Sequence, residues 1–286
     1  MNYQTENGEL IMRLILDSGS NIRKLNGVED YAVVPLSIRT EDKEFVDDEK
    51  LNIMGMVEEL EKTKSRSGSA CPGIAEFEKA LDGCKDAIIV TLASKLSGCY
   101  NAAVAAAEMY MEEHEGSTVY VLDSNAIGPS EKLIAEKFFE CKDKGMDIDA
   151  TYDTIKEYSK KLKIGFCLKS LKNLANNGRI SPVIAKFANV VGIRIVGIFS
   201  EWGELQPTNK ARGDRNSIDA IINNMKEAGY KGGKVIIDHC DGLAMALAVK
   251  EKIQTFFKNA DIRIGETTGL CSFYAERGGI VITCEV

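Results

Sequence analysis

The segment 91–101 carries the residues of this chain that are best suited to bind an anion. An apolar run at 87–91 leads into Ser94, Ser97 and Gly98, and an alanine-rich stretch typical of a helix follows. The first amides of a helix lack partners within it, and glycine lets the backbone approach a ligand closely. The pattern predicts a carboxylate or phosphate site at Ser97 and Gly98, although a serine before a helix is more often a plain cap.

Polar residues also follow two other strand-like runs. Residues 13–16 lead into Asp17, and residues 118–122 lead into Asp123. Segments with helical patterns at 51–60 and 101–113 separate the strands, which is typical of a parallel sheet covered by helices. Ligands of such sheets collect at the carboxyl ends of the strands. We therefore expect the three polar strand ends to face one crevice.

The order of elements changes in the second half of the chain. A turn at Trp202-Gly203-Glu204 joins two strands in a hairpin, which requires antiparallel pairing. The pattern predicts helices at 151–162, 170–177, 217–228 and 242–257, and strands at 164–168, 193–199, 205–208, 234–238 and 279–286. We therefore expect two α/β domains. Residues 1–146 would hold a mostly parallel sheet flanked by helices, and residues 147–286 a mixed sheet.

Composition excludes several classes of protein. The net charge of −7 over 286 residues, without a block of basic residues, opposes binding to nucleic acid. The eight cysteines show no C-x-x-C pair, so we expect reduced thiols and neither disulfides nor a metal site. Residues 1–10 lack the features of a signal peptide, and no apolar run is long enough to span a membrane. We expect a cytoplasmic protein without stable membrane insertion.

Five short segments of the chain form a further pattern. They are Leu14-Ile15-Leu16-Asp17-Ser18, Ser69-Ala70-Cys71-Pro72, Leu96-Ser97-Gly98-Cys99-Tyr100, Val121-Leu122-Asp123-Ser124 and Asn177-Gly178-Arg179-Ile180-Ser181. In their order and spacing, these segments together resemble the DegV family. The resemblance covers nearly the whole chain. It implies a non-catalytic two-domain protein that holds a long-chain fatty acid between its domains, with no other cofactor. In some members a separate kinase subunit phosphorylates the bound fatty acid, so the resemblance also implies a fatty acid kinase as a partner.

The resemblance also implies roles for particular residues. The carboxylate would be held by Ser69, by Ser97 and by the Gly98 amide, and Arg179 would serve the mouth of the site or a partner. Many members carry a head-group histidine near the C-terminus, whereas this chain has Glu266-Thr267-Thr268-Gly269-Leu270-Cys271-Ser272 there. We therefore expect the hydroxyls of Thr268 and Ser272 to contribute to head-group binding. Because hydroxyls do not titrate near neutrality, affinity should be nearly flat from about pH 6 to 8.

The apolar residues that would line an acyl tunnel are less specific. An acyl chain gains about 0.8 kcal/mol for each methylene removed from water, so an apolar tunnel would dominate affinity. Candidates for its wall are Phe187, Val190, Val191, Ile193 and Ile195. The same side chains would suit an ordinary core or sheet surface equally well, and sequence does not separate the two roles.

An enzymatic alternative stays open from the residues alone. Ser97 or Cys99 could act as the nucleophile of a hydrolase or acyltransferase, with His239 as the base. That arrangement requires hydrogen-bond reach between the nucleophile and the base. The Gly-x-Ser-x-Gly elbow, the dinucleotide fingerprint and the phosphate-loop motif are all absent from the chain, which favours binding over catalysis.

Overall fold

The computed structural model describes residues 12–25, 27–181, 184 and 192–286. A four-stranded parallel sheet forms the centre of the first half, in the order β2-β1-β6-β7. These strands are β1 (Met12–Asp17), β2 (Tyr31–Val34), β6 (Asp86–Thr91) and β7 (Thr118–Asp123). Since β1, β6 and β7 are parallel neighbours, their carboxyl ends meet at one edge, as the sequence predicts. That edge brings Asp17, Thr91 and Asp123 together.

Both faces of this sheet are covered, which explains why its strands read as nearly continuous apolar runs. Ile15 and Ile89 face an apolar cluster with helices α2 (Ile74–Leu81) and α3 (Cys99–Glu113). Leu16 and Val90 face the opposite cluster, with α4 (Pro129–Asp143) and α5 (Ile148–Ser159). The side chains of one strand thus alternate between two cores.

A small antiparallel sheet extends the first half. Its order is β4-β3-β5, formed by β3 (Ser37–Arg39), β4 (Glu44–Val46) and β5 (Gly68–Ala70), and helix α1 (Ile53–Lys62) lies between β4 and β5 in the chain. Ile38 of β3 pairs with Ser69 of β5. This register fixes the position of Ser69.

A six-stranded mixed sheet forms the second half, in the order β10-β9-β8-β13-β11-β12. Its strands are β8 (Leu162–Leu168), β9 (Ile193–Phe199), β10 (Leu205–Arg212), β11 (Gly233–His239), β12 (Ala260–Glu266) and β13 (Ile280–Glu285). Further helices among the described residues are α6 (Lys172–Asn176), α7 (Asp214–Glu227), α8 (Leu243–Phe256) and α9 (Gly269–Ala275). The predicted hairpin is confirmed, because β9 and β10 pair antiparallel. Only β11 and β12 pair in parallel.

Buried polar contacts join the two halves. Asp238 of β11 has no exposed surface, and its carboxylate accepts hydrogen bonds from Asn21 Nδ2 at 2.8 Å and from Lys132 Nζ at 2.7 Å. Thr268 Oγ1 donates to the carbonyl of Ser18 at 3.0 Å. Because these polar groups have lost their water, the contacts fix one orientation of the halves.

The structure contains the predicted fold class and also several strands and helices that the sequence pattern does not predict. The predicted fold class is confirmed, with the parallel sheet flanked by helices and the mixed sheet. Strands β2 to β5 and β12, and helices α2, α4 and α9, were not predicted. The predicted boundary at 146/147 falls in the turn before α5, whose Ile155 packs in the same cluster as Leu16 of the first sheet. The boundary itself stays a prediction.

No helix among the described residues has both the length and the apolar character needed to cross a membrane.

Candidate functional site

An apolar cavity lies where the crevice of the parallel sheet faces the mixed sheet. The space free of protein atoms at this place is about 630 Å³, and this figure includes open solvent at the mouth of the cavity. Both halves supply its apolar wall. The first half contributes Leu36, Leu92, Leu96 and Ile127, and the second half contributes Leu270 together with Phe166, Leu168, Phe199 and Val281 of the mixed sheet. Among the described residues, the polar side chains of the wall are Ser69, Ser97, Arg179 and Tyr274.

Ser97 and Gly98 form the turn that leads into α3. The Ser97 hydroxyl donates to Cys99 Sγ at 3.1 Å and accepts from the Cys99 amide at 3.3 Å. Gly98 is the cap residue of α3, and its amide has no acceptor among the described residues. A Cβ at Gly98 would lie 3.1 Å from Cys71 Sγ, so glycine lets this thiol pack against the turn. The unpaired amide and the helix dipole together favour an anion here.

Ser69 reaches the same wall from the edge of the small sheet. Its hydroxyl shares a hydrogen bond of 2.8 Å with the phenol of Tyr274 on α9. Ser69 and Ser97 belong to one neighbourhood, because Cys71 follows Ser69 closely and contacts Gly98. No pattern in the sequence indicates a role for Tyr274. Its position follows from α9, which local sequence did not predict.

Arg179 places a positive charge in the cavity wall. Its Nε donates to the carbonyl of Leu96 at 3.1 Å, and its Nη1 donates to the carbonyl of Asn177. Asn177 in turn donates to the carbonyl of Ser67, just before Ser69. Arg179 therefore connects the turn of Ser97 with Asn177, which holds the segment just before Ser69. Its place at the mouth of the site and its role toward a partner both stay predictions.

The strand-end carboxylates act on the backbone of the crevice. Asp17 is fully buried and accepts from the amides of Gly19 at 2.9 Å and Leu92 at 2.8 Å. Burial raises the pKa of the Asp17 carboxyl to about 7 against these two hydrogen bonds. Asp123 accepts from the amides of Ser94 and Asn125 at 3.2 and 3.0 Å. Asp17 and Asp123 thus hold the turns that shape the site.

Thr268 and Ser272 do not line the cavity. The amide and hydroxyl of Thr268 bond to Asn21 Oδ1, and the hydroxyl also bonds to Ser18. The hydroxyl of Ser272 pairs with that of Thr267 at 2.6 Å, and both side chains are buried. Their hydroxyls are taken up in joining the halves and in starting α9. The head-group contact expected of Thr268 and Ser272 stays a prediction, and neither side chain lines this cavity.

Other predicted wall residues have a mixed outcome. Phe187, Val190 and Val191 lie outside the described residues. Ile193 and Ile195 pack in the apolar cluster around Phe166 and Leu168, which also supply the cavity wall. Neither Ile193 nor Ile195 is itself among the residues that line the cavity. Ile193 and Ile195 therefore belong to the apolar cluster that contains the wall residues Phe166 and Leu168.

The enzymatic alternative lacks the contact that it needs. His239 accepts a hydrogen bond from the Gly242 amide through Nδ1, and no hydrogen bond joins it to Ser97 or Cys99. Burial raises the pKa of the Cys99 thiol far above its usual range, so this sulfur stays protonated and is a poor nucleophile. No cluster of three metal-ligating side chains occurs within the described ranges.

The fold and site define a two-part α/β protein whose halves enclose an apolar cavity with two serine hydroxyls and an arginine in its wall. The chain belongs to the DegV family, because the model of that family, described as one of uncharacterised proteins, matches residues 12–285. A DegV domain-containing protein of Streptococcus pneumoniae is 36% identical over 277 residues, which cover 96% of this chain and 99% of the relative.

Two solved structures share both fold and substantial sequence with this chain. A DegV family protein from Eubacterium eligens, loaded with heptadecanoic acid, has a TM-score of 0.92 and 39% identity, covering 96% of this chain and 99% of its own. The Streptococcus pneumoniae Fatty Acid Kinase (Fak) B3 protein, loaded with linoleic acid, has a TM-score of 0.93 and 35% identity, covering 97% and 100%. Both similarities extend over essentially the full length of each chain.

Proposed function

We propose that this protein binds a long-chain fatty acid in the cavity, with the carboxylate near Ser97, the Gly98 amide and Ser69. The observation that carries the proposal is one apolar cavity with the hydroxyls of Ser69 and Ser97 in its wall, where Ser97 is followed directly by the unpaired helix-cap amide of Gly98. The heptadecanoic and linoleic acids in the two similar structures support the same class of ligand.

The energetics of the cavity suit such a ligand. Each methylene that leaves water contributes about 0.8 kcal/mol, so the apolar wall supplies most of the affinity of a long chain. The carboxylate must keep its hydrogen bonds when it loses water, and hydroxyls, a free amide and Arg179 can replace them. The dipole of α3 adds roughly 0.3–1 kcal/mol for an anion at its N-terminus. The head group therefore determines the orientation of the ligand, and the acyl chain supplies most of its affinity.

The protein is proposed to act as a carrier and not as a catalyst. The similarity to a Fatty Acid Kinase (Fak) B3 protein supports presentation of the bound acid to a kinase subunit that phosphorylates the carboxylate. Arg179, in the wall beside the hydroxyls, is the side chain that we expect at that interface. No cofactor other than the ligand is needed for this role. We also propose a cytoplasmic location, which the free cysteines of the described chain support.

Native mass spectrometry of the protein as purified tests this proposal. We expect an added mass equal to that of a long-chain fatty acid, which organic extraction removes and added palmitate restores. A retained nucleotide or metal ion, or failure of the extracted protein to bind palmitate, would overturn the assignment. The protein with Ser97→Ala should still retain some fatty acid, because the apolar wall is unchanged.

A further inference from the structure

Tyr274 contributes a phenol to the cavity wall but has no part in the proposed head-group contacts. Helix α9 lines the cavity with Leu270, Cys271, Tyr274 and Ala275. Residues three or four positions apart lie on the same face of a helix, so one face of α9 forms this part of the wall. The phenol meets the hydroxyl of Ser69 at 2.8 Å. Tyr274 thus reaches one of the two serines of the wall.

The ring of Tyr274 is held by packing on more than one side. It packs against the apolar cluster that contains Ile89 of the parallel sheet and against the cluster that contains Phe166 of the mixed sheet. The ring of Phe273 stands nearly edge-on to it, with the ring centres 4.7 Å apart and an angle of 63° between the planes. The phenol oxygen is therefore already in place beside Ser69 before a ligand binds.

The Ser69–Tyr274 pair has one more hydroxyl proton than its shared hydrogen bond uses. Each hydroxyl carries one proton and also accepts hydrogen bonds. Among the described residues, neither hydroxyl has a further hydrogen bond. One proton therefore lies between the two oxygens, and the second has no protein acceptor in the described chain. A ligand in the cavity can accept it, and a carboxylate, whose oxygens only accept, is suited to do so.

We propose that Tyr274 is a positioning residue that donates its phenol proton to Ser69 Oγ, so that the Ser69 hydroxyl proton points to the ligand carboxylate. The inference rests on the proposed function and adds to it the residue that orients Ser69. The direction of donation follows from the chemistry of the pair, because a phenol is a stronger hydrogen-bond donor than an alcohol hydroxyl. No covalent bond forms or breaks.

Such an arrangement favours an anionic head group over a neutral one. In a chain of two hydroxyls that ends on a carboxylate, each hydrogen bond polarises the next and strengthens it. Without the phenol, the Ser69 hydroxyl keeps its proton but rotates among its staggered positions, and only some of them point to the ligand. Tyr274 therefore acts on the discrimination between a fatty acid and its ester, and the apolar wall acts equally on both.

The substitution Tyr274→Phe removes the phenol oxygen and keeps the packed ring. In calorimetric titrations of delipidated protein, palmitate should bind about three- to tenfold more weakly to this variant than to the wild type. Methyl palmitate should lose less than about twofold, because it presents no charged acceptor. Tyr120→Phe is the matched control, since the phenol of Tyr120 also bonds to a side chain, Asp149, but lies outside the cavity wall. It should leave both affinities unchanged.

A double-mutant cycle tests whether Tyr274 acts through Ser69. Ser69→Ala leaves no hydroxyl to orient, so adding Tyr274→Phe to it should cause little further loss of palmitate affinity. Ser69→Thr keeps a hydroxyl and should keep the sensitivity to Tyr274→Phe. A loss in the Ser69→Ala background as large as in the wild type would overturn the positioning role, because Tyr274 would then act independently of Ser69.

Infrared spectroscopy of bound palmitate, labelled isotopically at its carboxyl carbon, reports the hydrogen bonds of the head group directly. The carboxylate stretching bands should shift in Tyr274→Phe and stay in place in Tyr120→Phe, whereas a purely structural role of Tyr274 would not move them. Thermal melting checks that each variant is folded.

The outcomes separate this inference from the proposed function. Wild-type protein that binds palmitate, together with a Tyr274→Phe variant that keeps the same preference for acid over ester and the same carboxylate bands, would overturn the inference and leave fatty-acid binding intact. Failure of the wild type to bind palmitate at all would instead overturn the proposed function.

Discussion

Removal of the Ser97 hydroxyl should weaken binding of a fatty acid much more than binding of its methyl ester. The hydroxyl lies in the cavity wall beside the unpaired Gly98 amide, where a carboxylate would accept from both. A hydrogen bond to a charged group contributes about 1.5–3 kcal/mol, and one between neutral groups about 0.5–1.5 kcal/mol. Ser97→Ala removes the first from the acid but only the second from the ester.

The structure narrows the expected size of this effect. In the free protein the Ser97 hydroxyl already donates to Cys99 Sγ at 3.1 Å, so the ligand exchanges one weak hydrogen bond for a stronger one. We therefore expect the lower half of the range for the acid, a loss of roughly 10- to 50-fold in affinity. The loss for the acid should exceed that for the ester by about fivefold or more.

Calorimetric titration of delipidated protein with palmitate and with methyl palmitate measures both losses. Ser94→Ala is the matched control, because Ser94 lies in the same turn and its side chain is not part of the cavity wall. It should leave both affinities unchanged. Equal losses for acid and ester in Ser97→Ala would show that Ser97 does not contact the head group, and would refute the placement of the carboxylate.

Three further substitutions test the fold around the site. Gly197→Ala should lower the free energy of unfolding by about 1–3 kcal/mol in a denaturant titration, because the new Cβ would lie 2.3 Å from the ring of Phe166. Gly165→Ala is the control, and it should lower the free energy of unfolding much less, because the nearest atom to its Cβ is 3.5 Å away. Glu131→Gln should raise stability at neutral pH, because burial raises the pKa of this carboxyl, whose oxygens have no hydrogen-bond partner, so that its ionisation opposes folding. That gain should disappear toward about pH 4, where Glu131 is protonated in both folded and unfolded states, and a gain independent of pH would contradict the reasoning. Arg179→Ala should lower the thermal midpoint slightly, by the equivalent of about 1 kcal/mol, because the hydrogen bonds from Arg179 to the carbonyls of Leu96 and Asn177 are only partly buried. An unchanged midpoint would show that these hydrogen bonds do not stabilise the fold.

The sequence was sufficient to predict the parallel sheet and its crevice. Strands β1, β6 and β7 are apolar runs that end in polar turns, and both features are local. The positions of Ser97 and Gly98 follow from the same signal, because a turn between a strand and a helix is readable from residue types. Ser69 came from the family resemblance, since Gly68-Ser69-Ala70 has little strand propensity of its own. Its pairing with β3 makes it a strand.

The parts that sequence missed depend on contacts between distant segments. Helix α9 begins at Gly269, where the Asp47 carboxylate accepts from the amides of Gly269 and Leu270 at 2.7 and 2.8 Å. The partners are more than two hundred positions apart in the chain, so no local pattern shows the cap. The same helix places Tyr274 beside Ser69. The burial of Asp17, which has no exposed surface, is likewise a property of the packed protein and not of the local segment.

A crystal structure with a bromine-labelled fatty acid tests the central claim most directly, because anomalous scattering locates the acyl chain independently of model bias. We predict that the bromine signal lies inside the cavity that includes Phe166 and Phe199, and that the carboxylate lies within hydrogen-bond distance of Ser97 Oγ, with Ser69 beside it. A bromine signal outside this cavity, or a carboxylate bound at Thr268 and Ser272 instead, would contradict the account.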